Sequence, residues 1–140
     1  MPEAISEEHL ERMRAILKTV PFAQLLGLEI VGAARGTAVL RMPIRSELTQ
    51  NYGLLHGGAM ASLIDTATAF AIVSQLTSPE RFTTVDLTIN YLKPVTTGSA
   101  NCEARVIRSG KRLLTLSAEV HDDAGTLVAI AVSTYIRLKS

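Results

Sequence analysis

Apolar residues recur along this chain with two periods, and the change from one to the other divides it. Leu10, Met13, Leu17 and Val20 follow one another at helical spacing behind Ser6, with Glu7 and Glu8 in the first turn, where a helix dipole favours anions. The pattern predicts an N-terminal helix stopped at Pro21. Two extended segments are expected next, over 28–33 and 37–43, joined by the Ala34-Arg35-Gly36 turn. Met60, Leu63, Ile64, Ala67 and Ala71 then form one stripe of a long helix running roughly over 57–76. Its richness in Ala, Ser and Thr keeps its sides small enough for strands to approach closely, so it reads as a central, largely enclosed helix.

Beyond Pro79 the period drops to two. Val85, Leu87, Ile89 and Tyr91 fall on one face of a strand, and Thr84, Asp86, Thr88 and Asn90 on the other. Further strands are expected near 99–108, 113–121 and 127–138, separated by the turns Ser109-Gly110-Lys111-Arg112 and Asp122-Asp123-Ala124-Gly125. Successive strands with one long helix near the middle predict an α+β fold, an antiparallel sheet curling around that helix. The expected organisation is one domain over 1–140, with a helix to residue 20 and a core over 21–138; no repeat or linker interrupts it.

Composition narrows the function classes. An apolar content of 47% supports a globular chain, and a net charge of +1 argues against broad attraction to nucleic acid or membrane. One cysteine, Cys102, excludes an intramolecular disulfide and fits a reducing compartment. The acidic N-terminus has no apolar run of signal-peptide type, and the long helix is too polar to span a bilayer, so a cytoplasmic location is expected. No phosphate-binding loop, dinucleotide fingerprint, nucleophile elbow or Cys/His cluster is present; neither a metal nor a bound cofactor is implied.

The candidate chemistry lies between Gln50 and Asp65. His56-Gly57-Gly58 opens the long helix, and paired glycines leave backbone N–H groups unshielded there, suited to polarising a carbonyl oxygen or simply to turning tightly. Asp65 is the only charged residue from His56 to Pro79. An unpaired buried carboxylate is costly, so Asp65 must either bond a neighbour such as Thr66 or Thr68 or face a cleft. It lies eight residues after Gly57, about 12 Å along a helix, too far for one carbonyl and its attacking water to touch both. A second copy of the chain can supply the missing half.

Gln50, His56-Gly57-Gly58, an acid nine residues past the His, and a later Thr-Val-Asp strand leading to Tyr91-Leu92-Lys93-Pro94 together resemble the hotdog-fold acyl-CoA thioesterases. The resemblance is closest to the phenylacetate-pathway type and its 4-hydroxybenzoyl-CoA relatives, and covers about 21–138. It implies a hotdog fold and hydrolysis of an acyl- or aryl-acyl-CoA, coenzyme A entering as part of the substrate. The Gly57 N–H would bond the thioester oxygen, and Asp65 would act as general base or as nucleophile. The family's amide falls at Gln50, with Asn51 one place later as the competing position. Thr84 stands where a Ser or Thr helps hold the water, or is only a β-former. His56 contacts the carbonyl, orders the loop, or fills the turn. Arg108, Gly110, Lys111 and Arg112, with Gly58 near the thioester, are the expected substrate contacts, the basic turn meeting nucleotide phosphates or being merely solvated. The family also implies a two-fold homodimer with composite sites, often paired into a homotetramer. Two other readings stay open: a hotdog hydratase or dehydratase, and a non-catalytic acyl-CoA-sensing domain.

Overall fold

Ser6 opens the first helix by accepting a hydrogen bond from the His9 N–H at 3.0 Å, and Lys18 sits in the last turn, so both ends suit the helix dipole. This helix, α1 (Glu7–Lys18), buries Met13 and Leu17. Pro21 does more than stop it. Pro21 begins a second helix, α2 (Pro21–Leu26), at the position where its missing N–H costs nothing, and Gly27 closes that helix at φ 73°. The computed structural model describes residues 2–139.

Strands β1 (Glu29–Ala34) and β2 (Thr37–Pro43) form a hairpin, followed by a 3-10 turn at Ser46–Leu48 and the long helix α3 (Gly57–Val73). Four strands complete the chain: β3 (Phe82–Tyr91), β4 (Ser99–Ser109), β5 (Leu113–His121) and β6 (Leu127–Arg137). They build one antiparallel sheet in the order β1-β2-β4-β5-β6-β3. Helix α3 thus carries the chain beneath the sheet, from β2 to the opposite edge. It stops three residues short of the expected end because Ser74 turns back, donating to the Ala71 carbonyl at 2.6 Å and accepting from the Gly36 N–H at 2.8 Å.

The core lies between α3 and the concave side of the sheet. Leu63, Ile64, Ala67 and Ala71 are fully buried against Leu40 and Met42 of β2, and against Ala100, Cys102 and Ala104 of β4. Small residues on β4 permit the close approach, and truncating a buried leucine such as Leu63 to alanine costs about 2–5 kcal/mol. Burial also pushes the Cys102 thiol up, which makes it a packing group rather than a nucleophile.

One phase expectation fails, with consequences for the site. Residues 84–91 look like a strict alternation, yet the pairing of β3 with β6 shifts between Thr84 and Asp86. A bulge absorbs Val85, which is exposed, and the face of Leu87 and Ile89 continues through Thr84 and Phe82. Thr84 therefore looks inward toward α3 rather than sharing the outer face with Asp86.

Candidate active site

Helix α3 begins at His56, whose extended backbone (φ −65°, ψ 134°) and side chain cap the first turn. Its Nδ1 accepts from the Gly58 N–H at 2.8 Å, which leaves the neutral ring's proton on Nε2. The His56 carbonyl takes the N–H groups of Ala59 and Met60 at 3.0 and 3.1 Å. Among the described residues nothing accepts from the Gly57 N–H, the one donor of the first turn left over. The two glycines differ in the room beside them. A Cβ on Gly58 would lie 3.0 Å from His56 Nδ1 and crowd the capping ring. At Gly57 it would rest in ordinary contact with the Tyr91 ring at 3.4 Å, and the Tyr91 hydroxyl donates to the Gly57 carbonyl at 2.7 Å.

The loop before α3 is a tight reversal: Gln50 N–H donates to the Leu54 carbonyl at 2.8 Å, and Gly53 turns at φ 79°. Gln50 Oε1 accepts from the Tyr52 N–H, so the amide nitrogen remains available. Gln50 lines a cleft of about 340 Å³ together with Gly57, Met60, Tyr91 and Lys93. Asn51 is exposed on the turn and lines no part of that cleft. The segment bearing Lys93 is held at one end by Leu92 and Lys93 N–H groups on the Val128 carbonyl. At its other end Ser99 and Asn101 donate to Asp123, which holds that carboxyl below its ordinary range.

Asp65 sits two turns further along α3, half-buried. Its Oδ1 accepts from Thr84 Oγ1 at 2.7 Å and from the Tyr135 hydroxyl at 3.2 Å. The inward turn of Thr84 at the Val85 bulge is what brings the first of these into reach. No donor among the described residues meets Oδ2. A free backbone donor at a helix N-terminus, an amide beside it, and a carboxylate with one free oxygen are therefore present on one chain. Only the stretch of helix between Gly57 and Asp65 separates them.

A family model described as the thioesterase superfamily matches residues 52–129, a span that includes Gly57, Asp65 and Thr84. The chain belongs to the thioesterase superfamily. It is 32% identical over 123 residues to human acyl-coenzyme A thioesterase 13, covering 85% of this chain and 86% of that protein. It is 27% identical over 132 residues to the medium/long-chain acyl-CoA thioesterase YigI of Escherichia coli K12, covering 84% and 85%. Among solved structures, the E. coli PaaI protein from the phenylacetic acid degradation operon superposes with a TM-score of 0.87, covering 98% of both chains at 25% identity. The six-stranded sheet wrapped on α3 is the hotdog fold, and this enzyme is a thioester hydrolase.

The thioesterase's basic turn lies elsewhere. The β4–β5 hairpin meets α3 at its C-terminal end, where Gln75 Nε2 donates to Ser109 Oγ at 3.4 Å. Helix α3 has 17 residues and is about 25 Å long, so the hairpin and Gly57 stand at opposite ends of one chain. Arg137 fixes the hairpin, donating to the Gly110 carbonyl at 3.2 Å and to Ser109 Oγ at 2.8 Å while pairing with Glu80. A Cβ on Gly110 would lie 2.9 Å from the Leu113 carbonyl oxygen, so glycine is required sterically. Arg108, Lys111 and Arg112 are exposed and pair with no carboxylate among the described residues.

Two residues of the candidate site escaped the sequence reading: Tyr135 as a partner of Asp65, and Tyr91 as a support for Gly57. A signal existed for the first. A tyrosine on the inward register of a strand must find a partner for its hydroxyl. Among the described residues no group of His, Cys, Asp and Glu could hold a metal, and no helix is long and apolar enough to cross a membrane.

Proposed function

We propose that this thioesterase hydrolyses acyl-CoA thioesters at sites shared between two copies of the chain. The Gly57 N–H of one subunit bonds the thioester oxygen, supported by the α3 dipole and by the Gln50 amide beside it. Asp65 of the partner subunit faces the same carbonyl carbon. It either takes a proton from water as the water oxygen attacks, or attacks directly to give an anhydride that water then cleaves. In both routes the carbon–sulfur bond breaks, the thiolate leaves and is protonated, and a free carboxylic acid remains. The observation that carries the proposal is the Gly57 N–H left without an acceptor at the start of α3.

Alignment within one chain supports the dimer. Tyr91 touches Gly57, and Thr84 touches Asp65, so β3 runs antiparallel to α3 in fixed register. A two-fold axis that brings Asp65 to Gly57 of the partner subunit also brings Thr84 to Tyr91 of the partner subunit. The axis then passes near Ala61 on α3 and between Leu87 and Thr88 on β3. Strand β3 is an edge of the sheet, and Ala61 is small enough for two helices to approach there. A ten-residue edge strand left open invites pairing with a second copy.

The acyl group has somewhere to go. A cavity of about 490 Å³ opens between α1, the end of α3 and the start of β3, lined by Met13, Ile16, Val73, Leu76 and Phe82. Phe82 lies two residues before Thr84 on the same face, about 7 Å away. At about 1.3 Å of advance per carbon, set by bonds near 1.5 Å, acyl chains of roughly six carbons or more reach it. The phosphates of coenzyme A would meet Arg108, Lys111 and Arg112 of the hairpin. A hydratase reading loses its base, because His56 Nδ1 is already occupied by the Gly58 N–H.

The test is thiol release from a panel of acyl-CoA substrates by wild type and Asp65→Asn. The expected result is turnover by the wild type and a loss of kcat of about 10³-fold or more in the variant with KM little changed. Equal turnover by both proteins would overturn the proposal.

A further inference from the structure

The two oxygens of the Asp65 carboxylate have different surroundings. Oδ1 receives two hydroxyls, from Thr84 at 2.7 Å and from Tyr135 at 3.2 Å, and no donor among the described residues reaches Oδ2. The Tyr135 hydroxyl also lies 2.6 Å from the backbone carbonyl oxygen of Asp65, so one phenolic hydrogen is shared between the residue's main chain and its side chain. On its other side it lies 2.8 Å from Thr68 Oγ1, and that threonine is fully buried one turn further along α3.

This network cannot drift. Tyr135 is 2% exposed, and its ring packs edge-on against Phe82 with centroids 5.7 Å apart. Burial pushes its phenol up, away from ionisation, so it stays a donor throughout the working range of an enzyme. Thr68 Oγ1 lies 3.0 Å from the carbonyls of both Ile64 and Asp65, which pins it to the helix. A carboxylate on its own turns freely about its last bond and presents either oxygen. Here one oxygen is engaged by hydroxyls of β3 and β6, and the other is left without a donor among the described residues.

We propose that Tyr135, held in place by Thr68, is a positioning residue that fixes the rotamer of Asp65 and selects Oδ2 as the oxygen that meets the water or the acyl carbon. This rests on the thioesterase reading given above, with Asp65 as the reacting group. Thr84 and Tyr135 divide the task. Thr84 reaches Oδ1 through the bulge in β3, and Tyr135 ties the same oxygen to the Asp65 main chain. A purely structural tyrosine would lower the folded fraction, and the apparent kcat would fall only in proportion to it with KM unchanged; a positioning tyrosine lowers kcat per folded chain, in protein whose melting temperature stays above that of the assay.

Tyr135→Phe keeps the ring and its packing and removes only the hydroxyl. It is assayed for thiol release beside wild type, Asp65→Asn, Thr84→Val and the Tyr135→Phe/Thr84→Val double variant, with thermal unfolding of each. The expected result is a kcat loss of about 10–100-fold for Tyr135→Phe with KM within about threefold of wild type. The double variant should lose less than the product of the two single losses, because both hydroxyls serve one oxygen. Should Tyr135→Phe not fold, Thr68→Val carries the test, with a several-fold fall in kcat at unchanged KM. Wild-type kcat in Tyr135→Phe while Asp65→Asn is inactive overturns this proposal and leaves the thioesterase reading intact. A wild type that releases no thiol overturns both.

Discussion

Replacing His56 separates two roles that the sequence left open. The ring is exposed, and its one side-chain hydrogen bond among the described residues caps the Gly58 N–H at 2.8 Å, so its contribution is local. His56→Ala removes that acceptor and frees a second N–H beside Gly57; a lost cap of this kind costs about 1 kcal/mol, within a range of about 0.5–2. For a chain of 140 residues that amounts to a fall in Tm of about 3 °C. With the first turn loosened, the Gly57 donor is no longer held against the cleft, and kcat should fall about tenfold, a fraction of what losing such a donor outright costs. His56→Asn is the informative partner, because asparagine is among the best caps and has no imidazole. Its Tm should match wild type within about 1 °C and its kcat within about threefold. Differential scanning calorimetry and thiol-release kinetics read both quantities. An asparagine variant as inactive as the alanine variant would refute the capping role and make the imidazole a direct participant.

Two further expectations concern substrate contacts. Replacing Lys111 and Arg112 by alanine should raise KM for acyl-CoA several-fold at low salt with kcat near normal, and the difference should vanish near 1 M salt, where the Debye length is about 3 Å; an unchanged KM at low salt removes the hairpin from the substrate site. Ile16→Trp fills the cavity between α1 and α3 from a position already 44% exposed, so it should cut kcat/KM about tenfold or more for chains longer than about eight carbons and spare acetyl-CoA; equal effects on short and long chains would place the acyl group elsewhere.

Much of this fold was legible because it depends on local periodicity. The 3.6-residue stripe of Met60, Leu63, Ile64, Ala67 and Ala71 and the strands after Pro79 settle which layers exist. Pro21 misled in part, since proline ends one helix and starts the next with equal ease. The bulge at Val85 was invisible because Thr84 to Tyr91 alternates without a flaw; only the register against β6 reveals the extra residue. That one residue turns Thr84 toward Asp65, so a site contact depended on a tertiary pairing. Tyr135 stands 70 positions from Asp65, and its hydroxyl meets the carboxylate only because β6 lies beside β3 in the sheet. Gln50 and Asn51 are neighbours in sequence with similar chemistry, and the Gln50–Leu54 reversal puts the first in the cleft wall and leaves the second on the turn.

The proposal of a shared site is open to a direct measurement. Gly57→Pro deletes the N–H donor at a helix position where proline is well tolerated, and the extended backbone of His56 suits a residue preceding proline. Asp65→Asn deletes the carboxylate function. Each variant alone should be inactive. Unfolded and refolded together in equal amounts, they should form mixed dimers in which one of two sites combines an intact Gly57 with an intact Asp65. Thiol release should then return to about a quarter of the wild-type rate per chain. A mixture that stays as inactive as its components, while sedimentation shows the mixed dimers present, would contradict a site built from two subunits.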